Sequence, residues 1–221
     1  MPHLSVNTHM IDYIEKDGMW YTLKDGQPFM GNSEDNARTL LRKMKRHGIP
    51  GLRRVIDCGG WIGQWSLMHS HAQHIETFEP NPEIQPLLEH NIKHLAHCHR
   101  HHVALSDKPG HTALRYTDSS HTGTCHMWED GHTADIEVRT LDSYQFTDVD
   151  IIKIDVEGME IPLLHGAEQT IRSNRPWIMI EGNATARRYG RHKADTMHLL
   201  KEWGAIRIYK KWPDSIYRFD Q

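Results

Sequence analysis

Five short runs rich in β-branched and other apolar residues, most of them followed by a stretch with helical spacing, constrain this chain more than any other feature. R-R-V-I-D-C (53–58), H-I-E-T-F-E-P (74–80), H-H-V-A-L-S (101–106), D-I-I-K-I-D (150–155) and R-P-W-I-M-I-E (175–181) read as strands. Helices are expected from the glycine-rich segment at 60–70, from N-P-E-I-Q-P-L-L-E-H-N-I-K-H-L (81–95) and from G-M-E-I-P-L-L-H-G-A-E-Q-T-I-R-S-N (158–174). A further helix, A-D-T-M-H-L-L-K-E-W-G (194–204), precedes a closing strand, A-I-R-I-Y (205–209). Strands buried on both faces lose the polar alternation of a half-exposed sheet, and helical crossovers join parallel neighbours. The pattern predicts an α/β domain: a mostly parallel sheet with helices on both faces.

Two D-G pairs among β-favouring residues at 10–30 predict an N-terminal hairpin laid on one edge of the domain. S-E-D-N-A-R-T-L-L-R-K-M-K-R-H-G (33–48) follows as a helix, with Ser33 as N-cap and a stop at Gly48. Its basic residues Lys43, Lys45 and Arg46 read as a solvated helix face. We divide the chain into a 1–50 extension and a 51–221 domain. Between 106 and 150 the rhythm breaks: a hairpin-like D-K-P-G-H-T-A-L-R-Y, a polar loop, then the strand I-E-V-R-T-L-D-S-Y. A long loop in a compact domain is a place to look for function.

Composition narrows the class. Of 221 residues, 38% are hydrophobic and 25% charged, enough for a real core. The net charge of −3 lacks the basic footprint of a nucleic-acid binder, so no nucleic-acid partner is expected. Cys58, Cys98 and Cys125 form no C-x-x-C pair, which gives neither a disulfide framework nor a cysteine-rich zinc site. No apolar run of membrane-spanning length occurs, so no membrane partner is expected and a soluble, cytoplasmic protein is. Nineteen histidines would reverse the net charge on protonation just below neutrality.

The chemistry begins at V-I-D-C-G-G-W-I-G-Q-W (55–65), where Asp57, Gly59, Gly60 and Gly63 stand between a strand and a helix. Glycines there let the backbone turn tightly and approach a ligand. Glu79 lies 20 residues beyond Gly59, at the end of the next strand, where an acid takes ribose hydroxyls. An anionic Asp57 in the loop would oppose the pyrophosphate of NAD or FAD and favour the cationic ends of S-adenosylmethionine. A nicotinamide-dependent Rossmann oxidoreductase, a non-catalytic S-adenosylmethionine-binding module and a glycine turn that serves packing alone remain open. A nucleic-acid base methyltransferase is disfavoured, because no N-P-P-Y-like motif follows the fourth strand.

These segments resemble the FkbM-type methyltransferases over residues 55–183. The resemblance rests on V-I-D-C-G-G-W-I-G, F-E-P-N-P, V-A-L-S-D-K-P-G, T-L-D-S-Y and, above all, I-K-I-D-V-E-G-M-E-I-P-L-L-H-G-A. It implies a class I methyltransferase fold with a mostly parallel seven-stranded sheet, S-adenosylmethionine as donor, and a hydroxyl of a saccharide or related small molecule as acceptor. Cys58 and Trp61 depart from the small or polar residues usual there. On this resemblance Asp57, Gly59, Gly60, Trp61 and Gly63 bound the methionyl end. Glu79 and Asn81 take the ribose, and Ser106 or Asp107, after Ala104 and Leu105, meets the adenine.

Asp155 ends the fourth strand, close to where the methyl would sit, and can orient the acceptor or take its proton. Glu157, two residues on, is either catalytic or a helix-end charge, and Glu160 reads as a solvated helix residue. Asp155, Glu181 and Asn183 resemble the oxygen ligands of metal-dependent O-methyltransferases and are candidates for Mg²⁺. In the long loop His121, His126 and His132 are candidate general bases, with His126 carried as the catalytic choice, and Trp128 could stack on a sugar. The tract H-L-A-H-C-H-R-H-H (94–102) looks metal-binding, but it straddles a helix end and a strand start and reads as a polar connection.

Overall fold

A computed structural model describes residues 13–24, 27–29, 34–47, 51–116, 125–128, 135–182, 190 and 193–220. The chain opens with β1 (Tyr13–Lys16), β2 (Met19–Lys24) and β3 (Gln27–Phe29), an antiparallel meander, then α1 (Glu34–Arg46). Asp17 and Gly18 both have positive φ, 53° and 77°, as a two-residue turn that follows strand twist requires. The second D-G pair lies outside the described residues. The expected hairpin is thus a three-stranded sheet of its own, and it packs on a helix rather than on a sheet edge. Asn91 joins the two: its Oδ1 accepts from the Trp20 amide at 2.8 Å, and its Nδ2 donates to the carbonyls of Trp20 and Ile62. The Trp20 ring stacks on His90 at 3.9 Å between centroids.

Next come β4 (Arg54–Cys58), α2 (Gln64–Met68), β5 (His74–Phe78), α3 (Gln85–Ile92) and β6 (Cys98–His101). The expected strand at 101–106 is divided. Its first residue closes β6, and Ala104–Leu105 forms β7 of a second sheet with β8 (Gly110–Tyr116), β9 (Cys125–Trp128) and β10 (Ile136–Arg139), in the order β7-β10-β8-β9. Part of the expected polar loop is therefore a strand, since β9 pairs with β8. Ala104, Leu114, Ile136 and Val138 form the small core of this sheet.

The chain then runs through β11 (Val149–Ile154), α4 (Glu160–Gly166), α5 (Glu168–Asn174), β12 (Trp177–Glu181), α6 (Lys193–Glu202), β13 (Ala205–Lys211) and β14 (Asp214–Phe219). The single helix expected at 158–174 breaks at Ala167, whose backbone leaves the helical region (φ −118°, ψ 5°). Beside the break, Gly166 passes so close to Ser106 that a Cβ would lie 2.0 Å from the Ser106 carbonyl oxygen. β14 was not anticipated; it returns antiparallel to β12 and turns the closing strand into a hairpin.

The large sheet has the order β13-β14-β12-β11-β4-β5-β6. β12, β11, β4, β5 and β6 are parallel neighbours. This is the seven-stranded, mostly parallel class I methyltransferase fold. Side chains alternate between two cores: Ile56, Cys58, Phe78, Ile152 and Ile154 face α4, α5 and α6, while Val55, Ile75, Ile151 and Met179 face α1, α2 and α3. From β4 the chain first builds outward through β5 and β6, then returns to lay β11 on the other side of β4. Where strand order reverses in this way a crevice opens beyond the carboxyl ends of the strands. Among the described residues no helix is long and apolar enough to cross a membrane.

Candidate active site

The crevice lies between the ends of β4 and β11, and the turn after each forms its floor. Asp155 donates its amide to the Cys58 carbonyl at 3.0 Å. Gly59 has φ 87°, and a Cβ there would lie 1.9 Å from the Asp155 carbonyl oxygen. Packing also dictates the other two glycines. A Cβ on Gly60 would meet the Thr77 hydroxyl at 2.2 Å, and one on Gly63 would meet Ile92 and Leu88 within 2.9 Å. The glycine loop is therefore required by the two strand ends and by α3, before any ligand is considered.

Beneath the loop lies a buried charge network. Asp57 is fully buried and accepts from the Ser66 hydroxyl at 2.8 Å. Lys153, its partner in register across β4 and β11, sets its ammonium 3.2 Å from Asp57, 2.7 Å from the Gly59 carbonyl and 3.5 Å from Asp155. Burial opposes the lysine charge, but Asp57 and then Asp155 overcome it and hold the Lys153 pKa above the ordinary lysine value. The expected bare anion at Asp57 is corrected here: its charge is met inside the protein. Through Lys153, which also bonds the Gly59 carbonyl, Asp57 fixes the shape of the Gly59 turn.

Glu79 closes the other side of the loop. Its carboxylate accepts from the amide of Trp61 at 2.8 Å and from that of Asn81 at 2.9 Å. Trp61 supports this bond from a left-handed backbone, φ 45°. Asn81 accepts in turn from the Glu83 amide, and the Gln85 side chain donates to the Glu79 carbonyl. Burial pushes the Glu79 carboxyl up to about 7, against the pull of the two amides. Each of its oxygens keeps acceptor capacity beyond the amide bond, so the pair suits a vicinal diol.

Beyond the loop, Asp155, Glu157 and Glu181 bring one carboxylate oxygen each within 4.8 Å of one another. Glu157 is held at φ 51° by the V-E-G turn, and the Glu160 carboxylate accepts from the Gly158 amide at 2.9 Å. Glu160 is buried, 3% exposed, which corrects its expected solvation: it braces the turn that aims Glu157. Burial first, and the hydrogen bond and charge of Asp155 next, push the Glu181 carboxyl up to about 10. Asp214, opposite Glu181 in the β12–β14 register, adds a further negative charge. Glu181 thus holds a proton at neutral pH beside Asp155, which has the Lys153 ammonium at 3.5 Å on its other side.

Three of the expected sets therefore meet at the crevice: Asp57 with the glycines, Glu79 with Trp61 and Asn81, and Asp155 with Glu157 and Glu181. Ser106 and Asp107 sit at the end of β7. There the Ser106 hydroxyl donates to Asp107 at 3.1 Å and its amide to the Arg139 carbonyl. His126 lies in β9 opposite Arg115, its side chain outside the described residues, as are His121, His132 and Asn183. In the histidine tract His97 reaches the Ser70 carbonyl, His101 reaches Glu76 and His102 reaches the Pro80 carbonyl. Among the described residues it forms no cluster of metal-ligand atoms. Lys153 and Ser66 escaped the sequence reading, although a lysine between two isoleucines of a buried strand is itself a signal that a carboxylate must stand opposite.

Residues 57–206 match the Methyltransferase FkbM domain family. The chain belongs to the FkbM methyltransferase domains. This FkbM chain is similar to Methyltransferase FkbM from Methylobacillus flagellatus KT, with a TM-score of 0.55 and 16% identity. That likeness covers 76% of this chain and 44% of the other, so the chain spans less than half of that relative's length. It is also similar to precorrin 8w decarboxylase of Methanobacterium thermoautotrophicum, with a TM-score of 0.52, 12% identity, and coverage of 91% of this chain and 97% of that one. For precorrin-6y C5,15-methyltransferase of Geobacter metallireducens GS-15 the values are 0.51, 10%, 85% and 89%. At these identities the likenesses establish the fold alone. No curated protein matches the chain in sequence.

Proposed function

We propose that the chain is an S-adenosylmethionine-dependent methyltransferase that methylates a hydroxyl of a saccharide or related small molecule. The observation that carries the cofactor is the lock between Glu79 and the glycine loop: a buried carboxylate held by the Trp61 amide, with acceptor capacity left for a ribose diol. The donor and acceptor set fits the group. Glu79 would hold the ribose, and the loop from Gly59 to Gly63 would border the methionyl end.

When bound, S-adenosylmethionine supplies an electrophilic methyl. The protein's own part is to place the acceptor oxygen in line and to receive its proton. Asp155 is placed for both: it ends β11 at the crevice, 3.5 Å from the Lys153 ammonium, and the proton on Glu181 can bond to its carboxylate. The acceptor hydroxyl would pass its proton to Asp155, which neutralises that carboxylate, while the O–H electron pair would go into the new bond to the methyl carbon. His126 remains a proposed alternative base on β9.

A second reading draws on the three carboxylates within 4.8 Å, hard oxygen donors of the kind that bind Mg²⁺. Calorimetric titration with S-adenosylmethionine and with NAD, followed by a polyol acceptor panel read as S-adenosylhomocysteine formation, tests the proposal. Affinity for S-adenosylmethionine and product with a polyol support it. Absent affinity, or saturable NAD binding instead, would overturn it. Full activity in EDTA removes the metal reading.

Glu79 gives this cofactor a pH signature. To accept two ribose hydroxyls Glu79 must be ionised, and its free carboxyl titrates near 7. Affinity for S-adenosylmethionine should be flat above that pH and fall about tenfold per unit well below it. Glu79→Gln should bind more weakly and show no such slope, as calorimetry between pH 5.5 and 8.5 can establish.

A further inference from the structure

Asn91, on α3, is buried and bonds through both ends of its side-chain amide. Its Oδ1 accepts from the Trp20 amide of β2 at 2.8 Å, and its Nδ2 donates to the Ile62 carbonyl at 2.8 Å. The peptide unit that carries the Ile62 carbonyl also carries the Gly63 amide, which donates to the Gly60 carbonyl at 2.8 Å. The Gly60 carbonyl shares its own peptide unit with the Trp61 amide, the donor to Glu79 at 2.8 Å. Four hydrogen bonds therefore run head to tail from the N-terminal meander to a buried carboxylate. They pass through one side-chain amide and two peptide planes.

Each bond of such a row polarises the next, and here the donor end faces the carboxylate. Orientation counts as well. The turn holds Trp61 at φ 45° and Gly63 at φ 86°, and a bulky residue in the left-handed region keeps that conformation only where its surroundings enforce it. α3 enforces it at two points: Gln85 donates to the Glu79 carbonyl, and Asn91 holds Ile62. β2 then fixes which way round the Asn91 amide stands. Its Nδ2 also donates to the Trp20 carbonyl at 2.9 Å, so a flipped amide would turn its oxygen against two carbonyls and its NH₂ against the Trp20 amide. The Trp20 ring keeps β2 in place, stacking on Tyr13 at 4.4 Å and on His90, the neighbour of Asn91, at 3.9 Å.

We infer that Asn91 is a positioning residue for Glu79, and that the N-terminal meander acts through it as a working part of the cofactor site. The inference rests on the reading of Glu79 and the glycine loop as that site. Asn91 touches no ligand. It aligns the Trp61 amide, and the Trp61 amide orients the carboxylate that takes the ribose.

Amide NMR on the full chain tests the row without any cofactor. An amide bonded to a carboxylate shifts as that group titrates, and Glu79 titrates near 7. In the wild type the Trp61 and Gly63 amides and the Asn91 side-chain amide should therefore share one midpoint near that pH. Glu79→Gln should abolish it. Asn91→Leu, neutral and of similar shape, should move the Trp61 midpoint up by about one pH unit, because a loosened amide favours the ionised carboxyl less. Calorimetry at pH 7.5 should then find affinity for S-adenosylmethionine about tenfold weaker. Among the described residues the charged groups acting on Glu79 are Lys153, which lowers its pKa, and Asp57, which raises it, and the Asn91 variant alters neither. A role confined to stability would lower the urea midpoint of Asn91→Leu and leave the Trp61 titration where it was. Trp20→Ala, at a half-buried position, should move the Trp61 midpoint the same way by a smaller amount.

Absence of a common midpoint in the wild type overturns the inference, whether or not Asn91→Leu folds. So does an unmoved Trp61 midpoint in folded Asn91→Leu, and with S-adenosylmethionine still bound by the wild type the proposed function survives that result. An unmoved midpoint in Trp20→Ala removes the meander from the row. A shared and movable midpoint without affinity for S-adenosylmethionine overturns the proposed function and the cofactor role, while the alignment of Glu79 by Asn91 stands.

Discussion

Replacing Lys153 with methionine should destabilise the protein by about 3–5 kcal/mol, the range observed when one partner of a buried ion pair is removed. The ammonium is 5% exposed, and it is the cation that faces both Asp57 and Asp155 while bonding the Gly59 carbonyl. Methionine fills the volume but leaves Asp57, with no exposure of its own, answered among the described residues by the Ser66 hydroxyl alone. The double variant Asp57→Asn, Lys153→Met removes both charges and should recover much of the loss, because a neutral pair no longer carries an unpaid desolvation penalty. Urea denaturation of the two single variants and the double variant measures the coupling. Additive losses would mean that the two groups do not act as a pair. The Lys153 variant should also bind S-adenosylmethionine more weakly, since the Gly59 turn loses its anchor.

The second large effect is expected at Asp155. Asp155→Asn should lower turnover by about 10²–10⁴-fold, the usual contribution of a positioned proton acceptor. Glu181→Gln should behave quite differently. At neutral pH Glu181 already holds a proton, its carboxyl standing near 10, so a glutamine amide can donate to Asp155 in its place. Turnover should therefore largely survive Glu181→Gln if Glu181 serves as a proton-bearing donor to Asp155. It should collapse if both are ligands to a divalent ion, since an amide is a poor substitute for a charged oxygen.

Stability against pH gives a check on the same pair that needs no acceptor. The folded Glu181 carboxyl titrates above its ordinary value of 4.5, so between 4.5 and about 10 the folded state holds a proton that the unfolded state has lost. Its contribution is complete below 4.5 and fades as pH rises toward 10. Relative to the wild type, Glu181→Gln should flatten that decline in denaturation midpoints measured from pH 5 to 10. An unaltered decline would show that Glu181 does not hold the proton.

The family's own long motif, I-K-I-D-V-E-G-M-E, illustrates how legibility varied within a few residues. Asp155 was readable because an acid at a strand end stands at the rim of any parallel sheet. Lys153 was not assigned a role, because its partner Asp57 lies 96 residues away and becomes its neighbour only through the β4–β11 register. Glu160 departs from its expected exposure for the opposite reason. Helical spacing alone places it outward, but the left-handed turn at Glu157 and Gly158 brings a free amide to its side chain. At the carboxyl end, β14 and the hairpin tip at Trp212 follow a strand without any glycine turn signal.

Local patterns determined the class of this protein. Period and composition marked most of the strands and helices, and short-range spacing placed a glycine turn, Glu79 and Asp155 at successive strand ends. These properties depend on residues near one another in the chain, where sterics and side-chain alternation act. What tertiary structure alone decided was which charges meet. Lys153 neutralises Asp57, Glu181 holds a proton beside Asp155, and Asp214 stands opposite Glu181. Those relations arise from strand order and burial, which set distance and dielectric together, and neither quantity is written in any short stretch of sequence.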